Sequence, residues 1–411
     1  MTKSPAKNHF LKNLLKILFF CFLAVSLGSC SGGGGGESSP TPSTTYWAKT
    51  YGGANDDVAY SIHQTSDGGF IVAGGTHSFT TVNGDVWVLK LDANGNIQWQ
   101  KTYGGNGVDV ARSIQQTSDG GFIVAGETSS FATNTDVWIL KLDANGNISW
   151  QKTYGGNEVD VAYSIQQTSD GGFIVAGETS SFGSGYKDIW ILKLNASGGI
   201  QWQKTYGEDA TDDSAYSVQQ TSDGGFIVAG ETILTNVGEF WVLKLDANGV
   251  IQWQKKYGGT NADVANSIRQ TSDGGYIVAG GTSSFTHFFG DIWLLKLDSA
   301  GAIQWEKTYG GSVSNAANSI RQTSDGGYIA AGVTNSFGAG TQDFWVLKMD
   351  GNGNIGSGCS VIGTSSATVS STGITAVDSS GTVNNTNATV TQTSVTPQDS
   401  TALIATQCSS P

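Results

Sequence analysis

The stretch Lys101-Thr102-Tyr103-Gly104-Gly105 (KTYGG) is one of six near-identical copies in this chain. Four copies read KTYGG, one KTYGE and one KKYGG, and they begin at Lys49, Lys101, Lys152, Lys204, Lys255 and Lys307. The tyrosines of successive copies are 51 or 52 residues apart. A unit of about fifty residues with several strand-like segments cannot bury both of its faces alone, so it must stack on its neighbours. The repeat therefore predicts a ring of stacked sheets.

Each repeat is predicted to be a four-stranded antiparallel sheet. Between Asp109 and Gly156 the strand-like segments are 110–116 (VARSIQQ), 122–125 (FIVA), 136–143 (DVWILKLD) and 148–152 (ISWQK). The first and third segments alternate apolar and polar residues, and the second is continuously apolar, as expected of a strand covered on both faces. The connections TSDGG and DANGN supply the Gly, Asp and Asn residues of tight hairpins. The expected fold class is all-β.

A displaced tryptophan predicts how the ring closes. The fourth strands carry Trp99, Trp150, Trp202, Trp253 and Trp305, whereas the last unit continues as Gly356-Ser357. The missing tryptophan stands at the other end of the repeats, as Trp47. We therefore predict a six-bladed β-propeller in which residues 45–51 pair with the third strand of the last blade, leaving no open sheet edge. The alternative, an open solenoid, needs caps and leaves Trp47 unplaced.

The repeat motifs resemble those of known propellers. QTSDGG(F/Y)IVAG, D(V/I/F)W(V/I/L)LK and LDANGxIxWxKTYGG are similar to β-propeller repeats of bacterial exported and cell-surface proteins, over residues 46–355. This resemblance implies the fold and no particular activity. Residues 91–99 (LDANGNIQW) are also similar to the tryptophan-docking repeat of quinoprotein-type propellers, a group that includes PQQ dehydrogenases and a non-enzymatic lipoprotein of outer-membrane protein assembly. Asn94 replaces the Thr of that motif, and we expect no cofactor.

The N-terminal residues predict export and lipid anchoring. Residues 1–29 carry lysines before or at the start of an apolar stretch, Leu14 to Leu27, that is short for a membrane span. Leu27-Gly28-Ser29-Cys30 is similar to the lipobox of bacterial lipoproteins, which implies lipidation of Cys30; a plain signal peptide is the alternative. Residues 30–45 then form a Gly-, Ser- and Pro-rich tether. The expected location is the bacterial cell envelope, at the outer membrane or cell surface.

The C-terminal residues differ in composition from the predicted propeller, which spans residues 46–356. Residues 357–411 are rich in Ser and Thr and are bracketed by Cys359 and Cys408. An exported protein with two such cysteines favours a disulfide between them, although two unpaired thiols are the alternative. Such a bond would contribute about 4 kcal/mol in the chain-entropy model. We expect a small β appendage closed by this disulfide, or else a stalk.

Composition excludes one class of partner. The chain has a formal net charge of −13 and 13% charged residues. An acidic, lysine-poor surface binds polyanions weakly, so we expect no nucleic-acid partner. The expected partners are the membrane, through the lipid anchor, and an envelope protein or glycan, with the propeller itself a monomer.

The candidate ligand site lies on the face formed by the fourth-to-first and second-to-third strand connections, here called the variable-loop face. These connections differ between repeats while the hairpins barely change, and variable loops on a rigid base are where binding usually resides. An aromatic rim recurs on this face. The predicted ligand-binding residues are Phe79, Phe131, Phe182, Tyr186, Phe285, His287, Phe288 and Phe337. Loop anchors packed over the blade edge would explain the recurrent phenylalanines equally well.

Carboxylates recur at the starts of two strands in each repeat. Asp57, Asp109, Asp160, Asp213 and Asp263 precede the first strand, with Asn315 in the sixth copy, and Asp85, Asp136, Asp188, Glu239, Asp291 and Asp343 precede the third. Such oxygens could hold calcium. No copy has the 1, 3, 5 spacing of a calcium loop, and Asp at a strand start commonly accepts hydrogen bonds from nearby backbone. We expect a structural role and no metal.

Enzyme signatures are weak. His63, His77 and His287 occupy different positions of the repeat, which does not indicate a metal cluster or a Ser-His-Asp arrangement. The leading hypothesis is a non-enzymatic cell-envelope lipoprotein whose propeller binds or scaffolds protein or glycan. A propeller enzyme, quinoprotein-like or polysaccharide-active, is the alternative. Ionisable side chains converging in the central channel would favour the enzyme, and Arg269 and Arg321 on first strands are the available hint.

Overall fold

A computed structural model describes Trp47, residues 49–80, 83–183, 186–235, 237–285, 290–337 and 342–356, and six short strands between 362 and 399. The chain divides into two units, Met1–Thr45 and Tyr46–Pro411. The predicted signal peptide, the tether with Cys30, and the cysteines of the predicted disulfide, Cys359 and Cys408, lie outside the described residues. Within the described ranges no helix is long and apolar enough to cross a membrane.

Six antiparallel sheets confirm the all-β, six-bladed propeller. A short strand, β1 (Lys49–Thr50), precedes them. Blade one contains β2 (Asp57–Gln64), β3 (Phe70–Thr76), β4 (Asp85–Leu91) and β5 (Ile97–Gly104), and blade two contains β6 (Asp109–Gln116), β7 (Phe122–Thr128), β8 (Asp136–Leu142) and β9 (Ile148–Gly155). Blade three contains β10 (Asp160–Gln167), β11 (Phe173–Thr179), β12 (Asp188–Leu194) and β13 (Ile200–Tyr206), and blade four contains β14 (Asp212–Gln220), β15 (Phe226–Leu234), β16 (Val237–Leu245) and β17 (Ile251–Gly258). Blade five contains β18 (Asp263–Gln270), β19 (Tyr276–Thr282), β20 (Asp291–Leu297) and β21 (Ile303–Tyr309), and blade six contains β22 (Asn315–Gln322), β23 (Tyr328–Thr334) and β24 (Asp343–Met349).

The TSDGG hairpins are built from local hydrogen bonds. In blade two, Oδ1 of Asp119 accepts from the backbone N of Gly121 at 3.0 Å and from Oγ1 of Thr117 at 2.5 Å, while Gly120 adopts a φ of +80°. Lys141 on the third strand reaches the same carboxylate at 2.8 Å. This ion pair recurs in every blade, as Lys90–Asp67, Lys141–Asp119, Lys193–Asp170, Lys244–Asp223, Lys296–Asp273 and Lys348–Asp325. The Asp and Lys of the motif therefore fasten each hairpin to the third strand of its blade.

Apolar clusters between successive blades form the core. Ile71, Val86 and Tyr103 of blade one pack with Phe122, Trp138 and Leu140 of blade two, and equivalent clusters follow at the next four junctions. The fourth-strand tryptophans add a second contact. The ring of Trp99 meets that of Phe122 edge-on at 5.8 Å, and its Nε1 donates to the carbonyl of Ala144 at 3.2 Å. The recurring aromatic residues are thus scaffold.

The prediction that the N-terminal strand pairs with the last blade is wrong. β1 pairs instead with a C-terminal strand, β30 (Gln398–Asp399), and β24 has only β23 as its described partner. Trp47 still docks on blade one, because its ring meets Phe70 at 5.9 Å and its Nε1 donates to the carbonyl of Ala93 at 3.0 Å, as Trp99 does on blade two. The N-terminal segment is therefore held in place by the contact of Trp47 with blade one and by the pairing of β1 with β30. It makes no described pairing with β24.

The junction between blades six and one consequently differs from the other five. Phe344 is 94% exposed and Ile62 is 60% exposed, whereas the equivalent Phe240 and Ile268 are fully buried. The serine bond that links neighbouring inner strands elsewhere, such as the backbone N of Ile114 donating to Oγ of Ser61 at 3.1 Å, has no counterpart at this junction among the described residues. The six blades are therefore packed in sequence, with an apolar seam between the last and the first.

The described parts of the C-terminal segment form neither a separate appendage nor a stalk. They add an outer strand to five blades and to β1, in reverse order along the chain. β25 (Ile362–Gly363) pairs with β21, β26 (Thr368–Ser370) with β17, β27 (Val377–Asp378) with β13, β28 (Thr382–Asn385) with β9, β29 (Thr389–Gln392) with β5, and β30 with β1. We call these six strands the belt. It covers the outer sheet edges that the propeller would otherwise expose.

The belt follows a seven-residue repeat. The lysines that open four KTY motifs, Lys49, Lys101, Lys152 and Lys204, pair with Asp399, Gln392, Asn385 and Asp378, which are seven residues apart. The tyrosines Tyr103, Tyr154, Tyr257 and Tyr309 pair with Val390, Val383, Val369 and Ile362, which are separated by seven residues or by fourteen. One heptad of the belt thus corresponds to one blade of the ring.

Candidate functional site

The predicted phenylalanine rim packs against the blades. Each half-buried ring lies 5.0 to 5.3 Å from the third-strand tryptophan of its own blade, in the pairs Phe79–Trp87, Phe131–Trp138, Phe182–Trp190, Phe285–Trp293 and Phe337–Trp345. Such contacts are expected if the phenylalanines anchor the loops over the blade edge. Tyr186 is 74% exposed on the same face. His287 and Phe288 lie outside the described residues, and the ligand-binding role of the rim stays a prediction.

The carboxylates at the first-strand starts hold the variable loops together. In blade one, Oδ2 of Asp57 accepts from the backbone N of Gly53 at 2.8 Å and from Oγ of Ser78 at 2.7 Å, and Oδ1 accepts from the hydroxyl of Thr76 at 2.5 Å. The same side chain thus ties the fourth-to-first connection to the second-to-third one. Among the described residues no group of three or more His, Cys, Asp or Glu side chains could hold a metal ion. Such hydrogen bonds are expected if these carboxylates have a structural role in the loops.

Pairs of carboxylates meet where one blade follows another on the variable-loop face. A side chain at Gly104 would lie 2.2 Å from Oδ1 of Asp85 and 2.8 Å from Oδ2 of Asp109, so the glycine leaves room for both acids. Burial, and then the charge of Asp109, raise the pKa of Asp85 to about 6. Burial and the charge of Asp160 raise the pKa of Asp136 to about 6 in the same way. The two carboxylates of each pair therefore repel each other near neutral pH, where both are ionised.

A cluster of aromatic and charged side chains lies on the inner strands that line the central channel. Each inner strand has a β-bulge that re-aims one residue. The guanidinium of Arg112 lies 4.7 Å from the ring of Tyr60 and 6.0 Å from that of Tyr163, and Tyr163 lies 5.0 Å from Tyr216. These four bulged residues belong to blades one to four. They form a continuous row near the channel axis, with Tyr60 49% exposed.

Three glutamates on the second strands fix this row. Glu127 accepts from Arg112 at 2.7 Å, Glu231 from the hydroxyl of Tyr216 at 2.5 Å, and Glu178 from Lys187 at 2.8 Å. Burial, together with the charge of Glu178, raises the pKa of Glu231. The row and its acids break the sixfold repeat, because all three glutamates lie in blades two, three and four.

The sequence contains a signal for these glutamates, although the repeat pattern conceals it. The second strands of blades two, three and four contain GET, whereas the equivalent residues in blades one and five are GGT and those in blade six are GVT. The recurrence of GET makes the acids look like part of the scaffold, although only half of the repeats carry them. A comparison of repeat positions by chemistry would have singled them out.

A second level of the channel lies towards the hairpin face. One residue from each inner strand contributes to it: His63, Gln115, Gln166, Gln219, Arg269 and Arg321. They line a cavity of about 130 Å³ together with serines and apolar residues of the same strands. Ionisable side chains therefore do converge in the channel, and the sequence had indicated Arg269 and Arg321 there.

Comparison with known proteins gives distant likenesses. No protein-family model matches the chain. The regulatory protein FlaEY of Caulobacter vibrioides is 24% identical over 177 residues, which are 37% of this chain and 19% of that protein, so the chain spans about a fifth of the length of this relative. Sqt1 of Chaetomium thermophilum bound to the N-terminus of ribosomal protein L10 aligns over 74% of this chain and 87% of its own, with 12% identity and a TM-score of 0.42. A further structure of that Sqt1 covers 76% of this chain and 87% of its own, also with 12% identity and a TM-score of 0.42.

Proposed function

We propose that this protein is a non-enzymatic binding or scaffolding module for a protein or glycan, which it takes on the variable-loop face. One observation carries the proposal. The row Tyr60, Arg112, Tyr163 and Tyr216 occupies only four of six blades. A purely structural role would be expected to recur in every blade, so this departure from the repeat indicates another role. Aromatic rings beside a guanidinium supply flat apolar faces and hydrogen-bond donors at low entropic cost. Both sugars and peptides are recognised by such surfaces.

The glutamates support binding over catalysis. Oε1 of Glu178 accepts from Lys187 and its Oε2 accepts from Oγ of Ser214 at 2.5 Å, so both oxygens are engaged. A general acid or base must reach the proton that it transfers. Carboxylates held by cations and hydroxyls instead fix the orientation of the tyrosines and arginine beside them, which is preorganisation for a ligand.

The proposal includes the location. Cys30, in a stretch similar to a lipobox, would carry the lipid, and residues 30–45 would tether the propeller to the bacterial cell envelope. Cys30→Ser should release the protein from membrane fractions or leave its signal uncleaved. Unchanged processing together with unchanged membrane partition would contradict the anchor without touching the binding proposal.

The binding test compares two faces of the same soluble body, residues 44–411. Immobilised wild-type protein is exposed to envelope extract and to a glycan array, beside Tyr60→Ser/Tyr186→Ser on the variable-loop face. The matched control is Val250→Asn, which changes an exposed residue of the opposite hairpin face to the Asn found at that position in blades one and two. The same ligand should bind the wild type and the control and be lost from the double tyrosine variant. Equal binding by all three would contradict the proposed face.

A propeller enzyme is the second candidate, because charged side chains converge in the channel. A polysaccharide-active enzyme would need the acid pair Glu178 and Glu231, whose charges already influence each other. Glu178→Gln/Glu231→Gln should then abolish turnover of a polysaccharide that the wild type cleaves. If wild-type protein cleaves none of a panel of envelope polysaccharides, this candidate fails and the binding proposal stands.

A further inference from the structure

The hairpin-face level of the channel is rich in hydrogen-bond donors from glutamine and arginine side chains. The three glutamines use their acceptor atoms internally: Oε1 of Gln115, Gln166 and Gln219 accept from backbone N atoms of the following inner strand, at 2.9, 2.6 and 2.7 Å. Because each amide oxygen is engaged, the Nε2 group is what these side chains have left to offer the cavity. No carboxylate is among the residues that line it.

Arginines replace two of the six ring positions. The chain has three arginines, and one of them, Arg112, has Glu127 as its carboxylate partner. Arg269 donates from Nη1 to Oγ of Ser217 at 3.0 Å and to the carbonyl of Ile268 at 2.6 Å. Neither Arg269 nor Arg321 meets a carboxylate within the described part of the chain. Two guanidinium groups thus share one small cavity without a counter-charge.

The charges in this cavity act on each other. Burial, and then the charge of Arg321, lower the pKa of Arg269 to about 10. Burial and the charges of Arg321 and Arg269 lower the pKa of His63, whose Nδ1 is buried without a hydrogen-bond partner. Arg269 is half-buried and Arg321 is exposed at the mouth of the cavity, so an anion bound there would lie between a partly desolvated guanidinium group and a solvated one.

We propose that this cavity binds a phosphate or sulfate group. A tetrahedral oxyanion would accept hydrogen bonds from the guanidinium groups of Arg269 and Arg321 and from the glutamine Nε2 groups, and its charge would neutralise the arginines. The group enters from the hairpin face, because the ring residues stand next to the last residue of each inner strand, just before the TSDGG turns. This site is separate from the proposed variable-loop surface and does not depend on it.

The ligand is either the free ion or a phosphate borne by a larger molecule, and the test distinguishes the two. The soluble body, residues 44–411, is titrated calorimetrically with inorganic phosphate, sulfate and glucose 6-phosphate at constant ionic strength, with acetate and chloride as comparison anions. Saturable binding of phosphate and sulfate, without binding of acetate or chloride, is expected. Binding of glucose 6-phosphate as well assigns a carried group, and its exclusion assigns the free ion. Absence of binding by any tetrahedral anion overturns the proposal.

Two variants separate the cavity from general electrostatics. Arg269→Gln/Arg321→Gln installs the glutamine of blades two to four at both positions and should weaken phosphate binding at least about a hundredfold. The matched control, Lys152→Gln/Lys255→Gln, removes two positive charges from fourth strands outside the cavity and should leave phosphate binding unchanged. Equal loss in both would show that net charge alone attracts the ion, which contradicts a built site.

A further variant keeps the test decisive if the double substitution does not fold. Gln115→Glu retains an acceptor for the backbone N of Gln167 and adds a carboxylate to the ring. This internal counter-charge should abolish phosphate binding while leaving the melting temperature in chloride equal to or above that of the wild type. Undiminished phosphate affinity in this variant would place the anion elsewhere and overturn the proposal.

Discussion

Asn315 donates a hydrogen bond from Nδ2 to Oδ1 of Asp291 at 3.0 Å, where the preceding blade junctions bring two carboxylates together. The other pairs are Asp85–Asp109, Asp136–Asp160, Asp188–Asp213 and Glu239–Asp263. The junction between blades five and six thus replaces a like-charge contact with a neutral donor. The chain therefore contains its own control for the energetic effect of these acid pairs.

The acid pairs predict that stability falls as pH rises. The native state raises the pKa of Asp136 from 3.8 to about 6, so between these values the folded chain holds a proton that the unfolded chain has lost. The contribution of Asp136 to the free energy of unfolding must then decrease as pH rises from about 4 to about 6. Asp136→Asn should raise that free energy by about 1 to 2 kcal/mol at pH 7, after allowance for solvent screening, and change it little at pH 4. Urea titrations at both pH values measure this, and equal effects would contradict it.

The reverse substitution at the fifth junction should have the opposite sign. Asn315→Asp removes the donor to Asp291 and adds a second carboxylate beside it. The expected loss in the free energy of unfolding at pH 7 is about 1 to 3 kcal/mol, and it should shrink as both acids become protonated near pH 4. A loss independent of pH in the same urea titrations would mean that packing, not charge, governs this position.

Trp47 should contribute to stability as the repeat tryptophans do. It makes the same edge-on ring contact and indole hydrogen bond on blade one that Trp99 makes on blade two. Trp47→Ala and Trp99→Ala should each lower the free energy of unfolding by about 3 kcal/mol. Thermal and urea unfolding of the two variants provide the comparison. A wild-type value for Trp47→Ala would show that β1 is not docked on blade one.

The hairpin ion pairs should contribute different amounts to the free energy of unfolding in different blades. Lys141 is 9% exposed and also donates to the carbonyl of Leu142, whereas Lys348 in blade six is 48% exposed because no described fourth strand covers it. Lys141→Met should cost about 1 to 3 kcal/mol by leaving the buried carbonyl of Leu142 without this donor, and Lys348→Met less than about 1 kcal/mol. Urea unfolding of both variants tests the order, and a larger cost at Lys348 would reverse the interpretation.

The belt should protect the outer strands from hydrogen exchange. Without residues 357–411, the amides of β5 and β9 that face the belt become exposed sheet edges, so their exchange should accelerate by at least about tenfold. β24 has no belt strand among the described residues and serves as the internal control. Light scattering should also report association of the shortened chain. Unchanged exchange in β5 and β9 would show that the belt does not cover these edges in solution.

Much of the blade could be predicted from sequence because side chains encode it. The alternation in 136–143 specifies a strand with Trp138 inside, and the Asp and Gly residues of TSDGG specify the hairpin whose bonds the structure shows. The docking of Trp47 on the first blade also follows from the repeat, although its partner strand does not. Pairing at a sheet edge is made by backbone groups, which are nearly the same in every residue. The partner strand of β1 therefore cannot be predicted from its side chains.

The belt and the channel were harder to predict, for different reasons. The belt has a visible period, since threonines recur at Thr368, Thr375, Thr382, Thr389 and Thr396, but a segment so rich in Ser and Thr hides a seven-residue spacing. The donor character of the channel depends on which atom of Gln115 or Gln166 faces inward. That is settled by hydrogen bonds between blades more than fifty residues apart in the chain, and not by any local pattern.

The reverse order of the belt has a consequence for how the protein matures. Blades one to five precede in the chain the heptads that border them, so each sheet can form before its belt strand is present to cover its outer edge. The belt strand nearest the N-terminus, β25, borders blade five, and the last belt strand, β30, pairs with β1. A chain interrupted during synthesis would therefore contain folded blades whose edges remain open to other chains. Each of the first five blades thus keeps an exposed outer edge until its own heptad of the belt is in place.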